Sequence, residues 1–193
     1  MAKRISFFLI VTLFFLGSAM AEDTQRDSAT ARRLKADTEI QGYPCAAGKV
    51  WYYVQGGLRS CKVSREAAFG EARIPEGSAI YLSSDGKPDF ALLSRDTTIH
   101  GYLCRGHGHD YSTAFHPDGA LKVCWLAADQ EVQGIPCMQA SLLSDVFGGT
   151  VGVYFYNSGK LQTCKLSRDA SIQDRKLKRG EHIFLDADGN VIR

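Results

Sequence analysis

Short stretches of alternating apolar and polar residues recur along the chain, and each ends just before a glycine. The marking glycines lie 30 to 40 residues apart, at Gly56, Gly86, Gly119, Gly159 and Gly189. Mostly apolar residues stand six positions before them, at Val50, Ile80, Thr113, Val153 and Ile183. A second set stands four positions before them, at Tyr52, Leu82, Phe115, Phe155 and Leu185. This spacing of two predicts strands with both sets on one face.

The residues around each glycine predict a turn and a returning strand. Glycine provides the positive φ that a tight hairpin needs. The returning strand starts two positions later, at Leu58, Pro88, Leu121, Leu161 and Val191. A polar corner follows in similar form three times, at Ser64-Arg65-Glu66, Ser94-Arg95-Asp96 and Ser167-Arg168-Asp169. Each unit is therefore predicted to be a β-hairpin followed by a corner and a short extended link.

Repetition of this unit predicts the fold class. A single hairpin is marginal in water, whereas stacked hairpins share one apolar face. We expect residues 40–193 to form a single all-β domain of five consecutive antiparallel β-hairpin repeat units. These units would make an extended meander sheet or a β-solenoid. A closed barrel and a non-repetitive β-sandwich with similar hairpins are the alternatives.

Six cysteines occupy two recurring positions of the repeat. Three of them lie five residues after the turn glycine, at Cys61, Cys124 and Cys164, and three lie in the link before the first strand, at Cys45, Cys104 and Cys137. The second unit has Ala91 and Ile74 instead, so both cysteines are missing together. This joint absence predicts the disulfides Cys45–Cys61, Cys104–Cys124 and Cys137–Cys164. A reactive redox pair is the alternative interpretation.

The first residues predict export. Lys3 and Arg4 precede an apolar run, and Ala19-Met20-Ala21 is typical of a cleavage site, so residues 1–21 are predicted to be a signal peptide. An uncleaved membrane anchor is the alternative. Residues 22–39 are polar and predict a disordered or weakly helical lead-in. An even number of cysteines in an exported chain indicates a periplasmic or secreted protein.

Charge narrows the class of partner. Loss of Lys3 and Arg4 with the signal peptide leaves equal numbers of basic and acidic residues. The sequence therefore does not favour nucleic acid, and it predicts no membrane anchor after cleavage. A protein or another component of the cell envelope is the predicted partner.

Histidines cluster in CRGHGHDYSTAFH, from Cys104 to His116. His107, His109 and His116, with Asp110, contain the donor types that zinc or copper binds. Gly106 and Gly108, however, predict a flexible segment, and His116 and His100 each fall at a position that is ordinary in the other units. The preferred interpretation is a solvated loop without a metal, and a metal-binding protein is the alternative.

The longest loop, residues 138–152, carries the apolar residues Leu142, Leu143, Val146 and Phe147. These four residues are predicted to contact a partner, and a flap folded back on the core is the alternative. Aromatic residues at Trp51, Tyr52, Tyr53, Tyr154, Phe155 and Tyr156 place rings on both strand faces. The outer rings would form a stripe for a sugar or a peptide.

No motif for catalysis or for a cofactor occurs: the sequence lacks G-x-S-x-G, a P-loop and the Rossmann glycine pattern. The rhythm F-Y-x-x-G-x-L, at Phe155 to Leu161 and less closely at Phe115 to Leu121, resembles the MORN-like hairpin repeats of bacterial proteins. That resemblance implies an interaction scaffold without catalytic residues. The sequence thus predicts a non-catalytic binding or scaffold protein that acts through its variable loops.

Overall fold

The computed structural model describes residues 29–107, 111–140 and 152–192, and these ranges contain β-strands, turns and loops but no helix. They accordingly hold no helix that is long and apolar enough to cross a membrane. The first ten strands are β1 (Ala29–Leu34), β2 (Thr38–Ile40), β3 (Tyr43–Cys45), β4 (Gly48–Tyr53), β5 (Leu58–Lys62), β6 (Ala67–Phe69), β7 (Ala72–Ile74), β8 (Ala79–Leu82), β9 (Pro88–Leu92) and β10 (Thr97–Ile99). They are followed by β11 (Tyr102–Cys104), β12 (Ser112–Phe115), β13 (Leu121–Cys124), β14 (Gln130–Val132), β15 (Ile135–Cys137), β16 (Val153–Phe155), β17 (Leu161–Lys165), β18 (Ala170–Ile172), β19 (Arg175–Leu177) and β20 (His182–Phe184).

Ten of the strands form one antiparallel sheet in the order β1-β4-β5-β8-β9-β12-β13-β16-β17-β20. Long hairpins β4–β5, β8–β9, β12–β13 and β16–β17 enter it in chain order, and β20 follows them. The predicted all-β fold of antiparallel hairpins is confirmed, and its main sheet is a meander with short excursions between the hairpins.

Each excursion contains a second, two-stranded hairpin: β2–β3, β6–β7, β10–β11, β14–β15 or β18–β19. The sequence predicted a short extended link at these places. Four of the five turns have positive φ at both central residues, which is the backbone of a type I′ turn. These pairs are Gln41-Gly42, His100-Gly101, Gln133-Gly134 and Gln173-Asp174. Glutamine and histidine rarely start such a turn, so the residue types gave little signal of it.

The core lies between the main sheet and these small hairpins. Side chains six positions before the turn glycines are fully buried, as the alternation predicts, at Val50, Ile80, Thr113, Val153 and Ile183. The three disulfides join the predicted pairs, with Cα–Cα distances of 5.6, 5.5 and 5.8 Å for Cys45–Cys61, Cys104–Cys124 and Cys137–Cys164. Each disulfide therefore links a small hairpin to the long hairpin that follows it in the chain. The three disulfides are consistent with an oxidising environment.

Part of the predicted lead-in is ordered. Residues 29–34 are strand β1, which pairs with β4 from Ala29↔Tyr53 to Leu34↔Gly48 at one edge of the sheet. The Arg32 guanidinium lies 5.1 Å from the centre of the Tyr52 ring. An edge strand is held by its backbone, so its side chains stay exposed and polar, and no apolar alternation marked it in the sequence.

Candidate functional site

The two faces of the main sheet differ. The small hairpins pack against the inner face around the buried core, whereas the outer face carries mostly half-exposed side chains. Strand register places one continuous line of residues across the outer face, each the Cα partner of the next. This outer row consists of Trp51, Ser60, Tyr81, Phe90, Ala114, Val123, Tyr154, Thr163 and Phe184.

The aromatic members of the outer row are half-buried, so part of each ring remains accessible. Tyr81 and Phe90 stack with ring centres 4.2 Å apart and planes 12° from parallel. Trp51 and Tyr81 lie on either side of Ser60, and neighbouring strands are about 4.8 Å apart, so these two rings stand roughly 10 Å apart. Tyr154 and Phe184 have the same relationship across Thr163. Large and small side chains thus give the outer face a ribbed surface.

A shallow trough of about 300 Å³ lies within this row, lined by Trp51, Arg59, Ser60 and Tyr81. Ser60 is 5% exposed and forms its floor, because its side chain is short. Arg59 reaches the trough since the ladder shifts register between Trp51 and Tyr52, which leaves one extra residue on β5. Its guanidinium lies 5.7 Å from the centre of the Tyr53 ring.

Positive charge surrounds the trough. The Lys49 Nζ atom lies 4.0 Å from the centre of the Trp51 ring. Arg33 is the Cα partner of Lys49, and Lys62 lies two residues from Ser60 on the same strand face. Strands β1, β4, β5 and β8 contain five arginine and lysine residues and no aspartate or glutamate. We call Arg33, Lys49, Trp51, Arg59, Ser60, Lys62 and Tyr81 the cationic-aromatic surface.

A second depression of about 450 Å³ extends this surface toward one end of the strands. It shares Lys62 with the surface and is lined otherwise by Gly77, Ala79, Leu92, Leu93, Ser94 and His107. His107 is exposed, has a left-handed φ of 58°, and donates its backbone N–H to the carbonyl oxygen of Leu93 at 3.0 Å. The predicted histidine loop therefore adjoins the outer face through His107.

At the far edge of the sheet the Cα partners Lys165 and His182 lie on the same outer face. Burial lowers the pKa of His182 below its usual value, and the positive charge of Lys165 lowers it further. His182 is therefore biased toward its neutral form at neutral pH. The positive charge of this pair is therefore carried mainly by Lys165.

The predicted metal ligands are not brought together within the described residues. His109 lies outside those residues, and His116 places its Nε2 atom 3.0 Å from the carbonyl oxygen of Phe155 in the next long hairpin. Across the described ranges, no group of three or more His, Cys, Asp or Glu residues is placed to hold a metal ion.

The position of His116 in the repeat predicted an ordinary surface residue. The structure instead shows a half-buried side chain that contacts the next long hairpin. Two of its four counterparts make the same contact: the Tyr53 hydroxyl donates to Leu82 O at 2.7 Å, and the Tyr156 hydroxyl donates to Leu185 O at 2.8 Å. Each side chain reaches the strand of the following hairpin. The role of His116 in the described structure is to join two hairpins.

The packing of Gly106 also differs from what the sequence predicted, which was a flexible segment. Gly106 is buried, and a Cβ atom built on it would overlap with the carbonyl carbon of Arg95. Its backbone N–H donates to Asp96 Oδ1 at 2.8 Å. Gly106 is required for close backbone packing, so the first part of the loop is fixed.

The predicted partner-binding residues Leu142, Leu143, Val146 and Phe147 lie outside the described residues. Of the outer row, the sequence singled out Trp51 and Tyr154, and it missed Tyr81, Phe90 and Phe184. A signal was present, since four of the five positions directly before Tyr52 and its counterparts are aromatic: Trp51, Tyr81, Tyr154 and Phe184.

Another groove, of about 470 Å³, lies between the turns of the last hairpins. Its Gln133 and Gln173 side chains already bond to backbone groups of neighbouring turns, so they are less available to a ligand.

Comparison of the chain with protein-family models, curated proteins and solved structures found no match. The site is therefore interpreted from its own geometry.

Proposed function

We propose that this chain is an exported, non-catalytic binding protein whose outer row binds a polysaccharide of the cell envelope. The single observation that carries the proposal is the line of half-exposed rings across the outer face, with the trough between Trp51 and Tyr81 at one end. The hairpin scaffold and its disulfides would hold these rings in fixed positions. Export to a periplasmic or extracellular location is part of the proposal.

Ring chemistry favours a sugar. The face of a pyranose ring presents C–H groups, which pack on the electron-rich face of an aromatic ring. Hydroxyl groups around the sugar rim need hydrogen-bond partners, and Ser60 and Arg59 provide them within the trough. The spacing of roughly 10 Å between Trp51 and Tyr81 is comparable with the length of a disaccharide.

Shape favours a polymer over a single sugar. The trough is shallow and open, whereas sites for small molecules usually enclose most of the ligand. The row crosses nine strands of the sheet, from β4 to β20, which corresponds to a length of roughly 40 Å at the usual strand spacing. An extended chain can contact several rings of such a row, so many weak contacts add to a useful affinity.

The proposal is tested by replacing both rings of the trough with alanine, in the variant Trp51→Ala/Tyr81→Ala. Val54→Ala is the control, because Val54 is a 66% exposed apolar residue outside the row. Binding to a panel of soluble neutral and acidic polysaccharides is measured by affinity electrophoresis and calorimetry. We expect the double variant to bind about tenfold more weakly and the control to bind as the unmodified protein does.

Two results would overturn the proposal. One is binding that does not change in the double variant while its melting temperature is also unchanged. The other is failure to bind any polysaccharide of the panel together with binding to extended peptides. The second result would return attention to a protein partner and to residues 142–147.

A further inference from the structure

We infer that the cationic-aromatic surface selects acidic polysaccharides, whose sugar rings carry carboxylate or sulfate groups. This inference rests on the proposed function and specifies its ligand class. It is carried by a second line of residues that runs beside the outer row, two positions along each strand. At one edge of the sheet this line consists of Arg33, Lys49 and Lys62.

The two lines are fixed relative to each other by the period of the strands. Lys49 lies two residues from Trp51, and Lys62 lies two residues from Ser60, so each cation is on the same face as its neighbour in the outer row. A polymer whose rings rest on Trp51 and Tyr81 would place its ring substituents over these cations. An anionic substituent at that place gains an attraction that a hydroxyl group does not.

The uneven distribution of charge on the main sheet would distinguish acidic from neutral polysaccharides. Strands β1, β4, β5 and β8 carry only basic residues among their charged side chains, and Asp89 in β9 is the first acidic residue met across the sheet. Lys49 sits over the Trp51 ring at 4.0 Å, so a bound anion would meet a cation that is already positioned. The surface therefore attracts anions at the same place where it presents its rings.

Single-stranded nucleic acid and anionic membranes also seek rings beside cations. The polysaccharide is favoured because the cations of the outer face gather toward its two edges, at Arg33, Lys49 and Lys62 and again at Lys165. Nucleic-acid proteins instead track the backbone with charge along the groove. The middle of the row carries Ala114 and Val123, which offer no ring, and its one cation among the described residues is Lys122, in the bulge position that Arg59 has in β5. Sparse charge and periodic rings fit a glycan that is only partly charged.

The test compares Lys49→Ala/Lys62→Ala with Lys160→Ala/Lys176→Ala, which removes two exposed lysines away from the surface. The probes are polygalacturonate, dextran sulfate, neutral dextran, an oligothymidine and vesicles containing phosphatidylglycerol. We expect the Lys49/Lys62 variant to bind the acidic polysaccharides about tenfold more weakly and neutral dextran unchanged. Added salt should reduce the difference, because it screens exposed charges. The matched variant should bind every probe as the unmodified protein does.

Each other outcome has a distinct meaning. Equal affinity for neutral and acidic polysaccharides in the unmodified protein would overturn this inference and leave the proposed function in place. Loss confined to polygalacturonate or to dextran sulfate supports the inference and identifies the anionic group. No binding to any polysaccharide would overturn both. Tighter binding to oligothymidine or to vesicles would also overturn the inference and assign the surface to that partner.

Discussion

The backbones of Gly70 and Gly119 lie directly against each other. A Cβ atom built on Gly70 would stand 2.7 Å from the Cα atom of Gly119, and one built on Gly119 would stand 2.8 Å from the Cα atom of Gly70. Gly70 is in the turn of the small hairpin β6–β7, and Gly119 is in the turn of the long hairpin β12–β13. The small hairpin β6–β7 has no disulfide, and neither has β18–β19. Hairpin β6–β7 is thus positioned by backbone packing, beside an edge-to-face contact between Phe69 and Phe115.

Replacement of Gly70 by alanine should destabilise the protein in two ways. Its φ of +61° disfavours a side chain, and the added Cβ atom would overlap with Gly119. Gly86→Ala is the matched control, because Gly86 has a φ of +79° and open space where the Cβ would lie. In urea unfolding we expect the control to lose about 1 kcal/mol of unfolding free energy. Gly70→Ala should lose roughly 1–3 kcal/mol more than the control. Equal losses would show that the close approach contributes nothing to stability.

The long hairpins and the disulfide pairs were predictable because their signals are local. A glycine turn, an alternation of two and a cysteine at a fixed offset are all visible in the sequence. The small hairpins were missed because their turns begin with residues such as Gln133, which has a left-handed φ of 51°. Strand β1 was missed because an edge strand needs no apolar face. Pairing register cannot be read from composition, so the continuity of the outer row from Trp51 to Phe184 required the structure.

Gln133 joins the turn of a small hairpin to the turn of a long one. Its Nε2 atom donates to Gly159 O at 2.8 Å, and its Oε1 atom accepts from Leu161 N at 3.0 Å. Gln133→Ala removes both hydrogen bonds and should lower the free energy of unfolding by roughly 1–3 kcal/mol. Gln133→Glu keeps the acceptor but not the donor, so its loss should be smaller. Denaturant unfolding of both variants checks this order, and a larger loss for glutamate would contradict it.

A carboxylate at the start of four excursions accepts a hydrogen bond from a backbone N–H ten residues later. The pairs are Asp37 with Ala47, Asp96 with Gly106, Asp129 with Gln139, and Asp169 with Arg179. Asp129→Ala leaves the Gln139 N–H without this acceptor and should lower the free energy of unfolding by about 1 kcal/mol. Asp174→Asn controls for the loss of one charge, because asparagine tolerates the left-handed φ of 62° at that turn position. Equal effects would mean that the hydrogen bond has no specific role.

Asp169 should make stability depend on pH. The hydrogen bond from the Arg179 N–H, and then that from Lys178, hold the pKa of this carboxyl below its usual value of 3.8. Because the pKa is lower in the folded state, the stabilisation is complete above pH 3.8 and is lost as pH falls through the folded pKa. The difference in unfolding free energy between the unmodified protein and Asp169→Asn should therefore shrink below pH 3.8. A difference that stays constant from neutral to acid pH would contradict this account.

Tyr156 tests the contacts between successive long hairpins. Its hydroxyl donates to Leu185 O at 2.8 Å, as the hydroxyl of Tyr53 donates to Leu82 O in an earlier pair of hairpins. Tyr156→Phe removes one hydrogen bond without changing the ring and should lower the free energy of unfolding by about 1 kcal/mol. Tyr52→Phe is the control, because the Tyr52 hydroxyl bonds to no described residue. Thermal unfolding of the two variants separates the effect of this hydrogen bond from the effect of losing any tyrosine hydroxyl. Equal melting temperatures would show that the contact between Tyr156 and Leu185 does not stabilise the packing of successive hairpins.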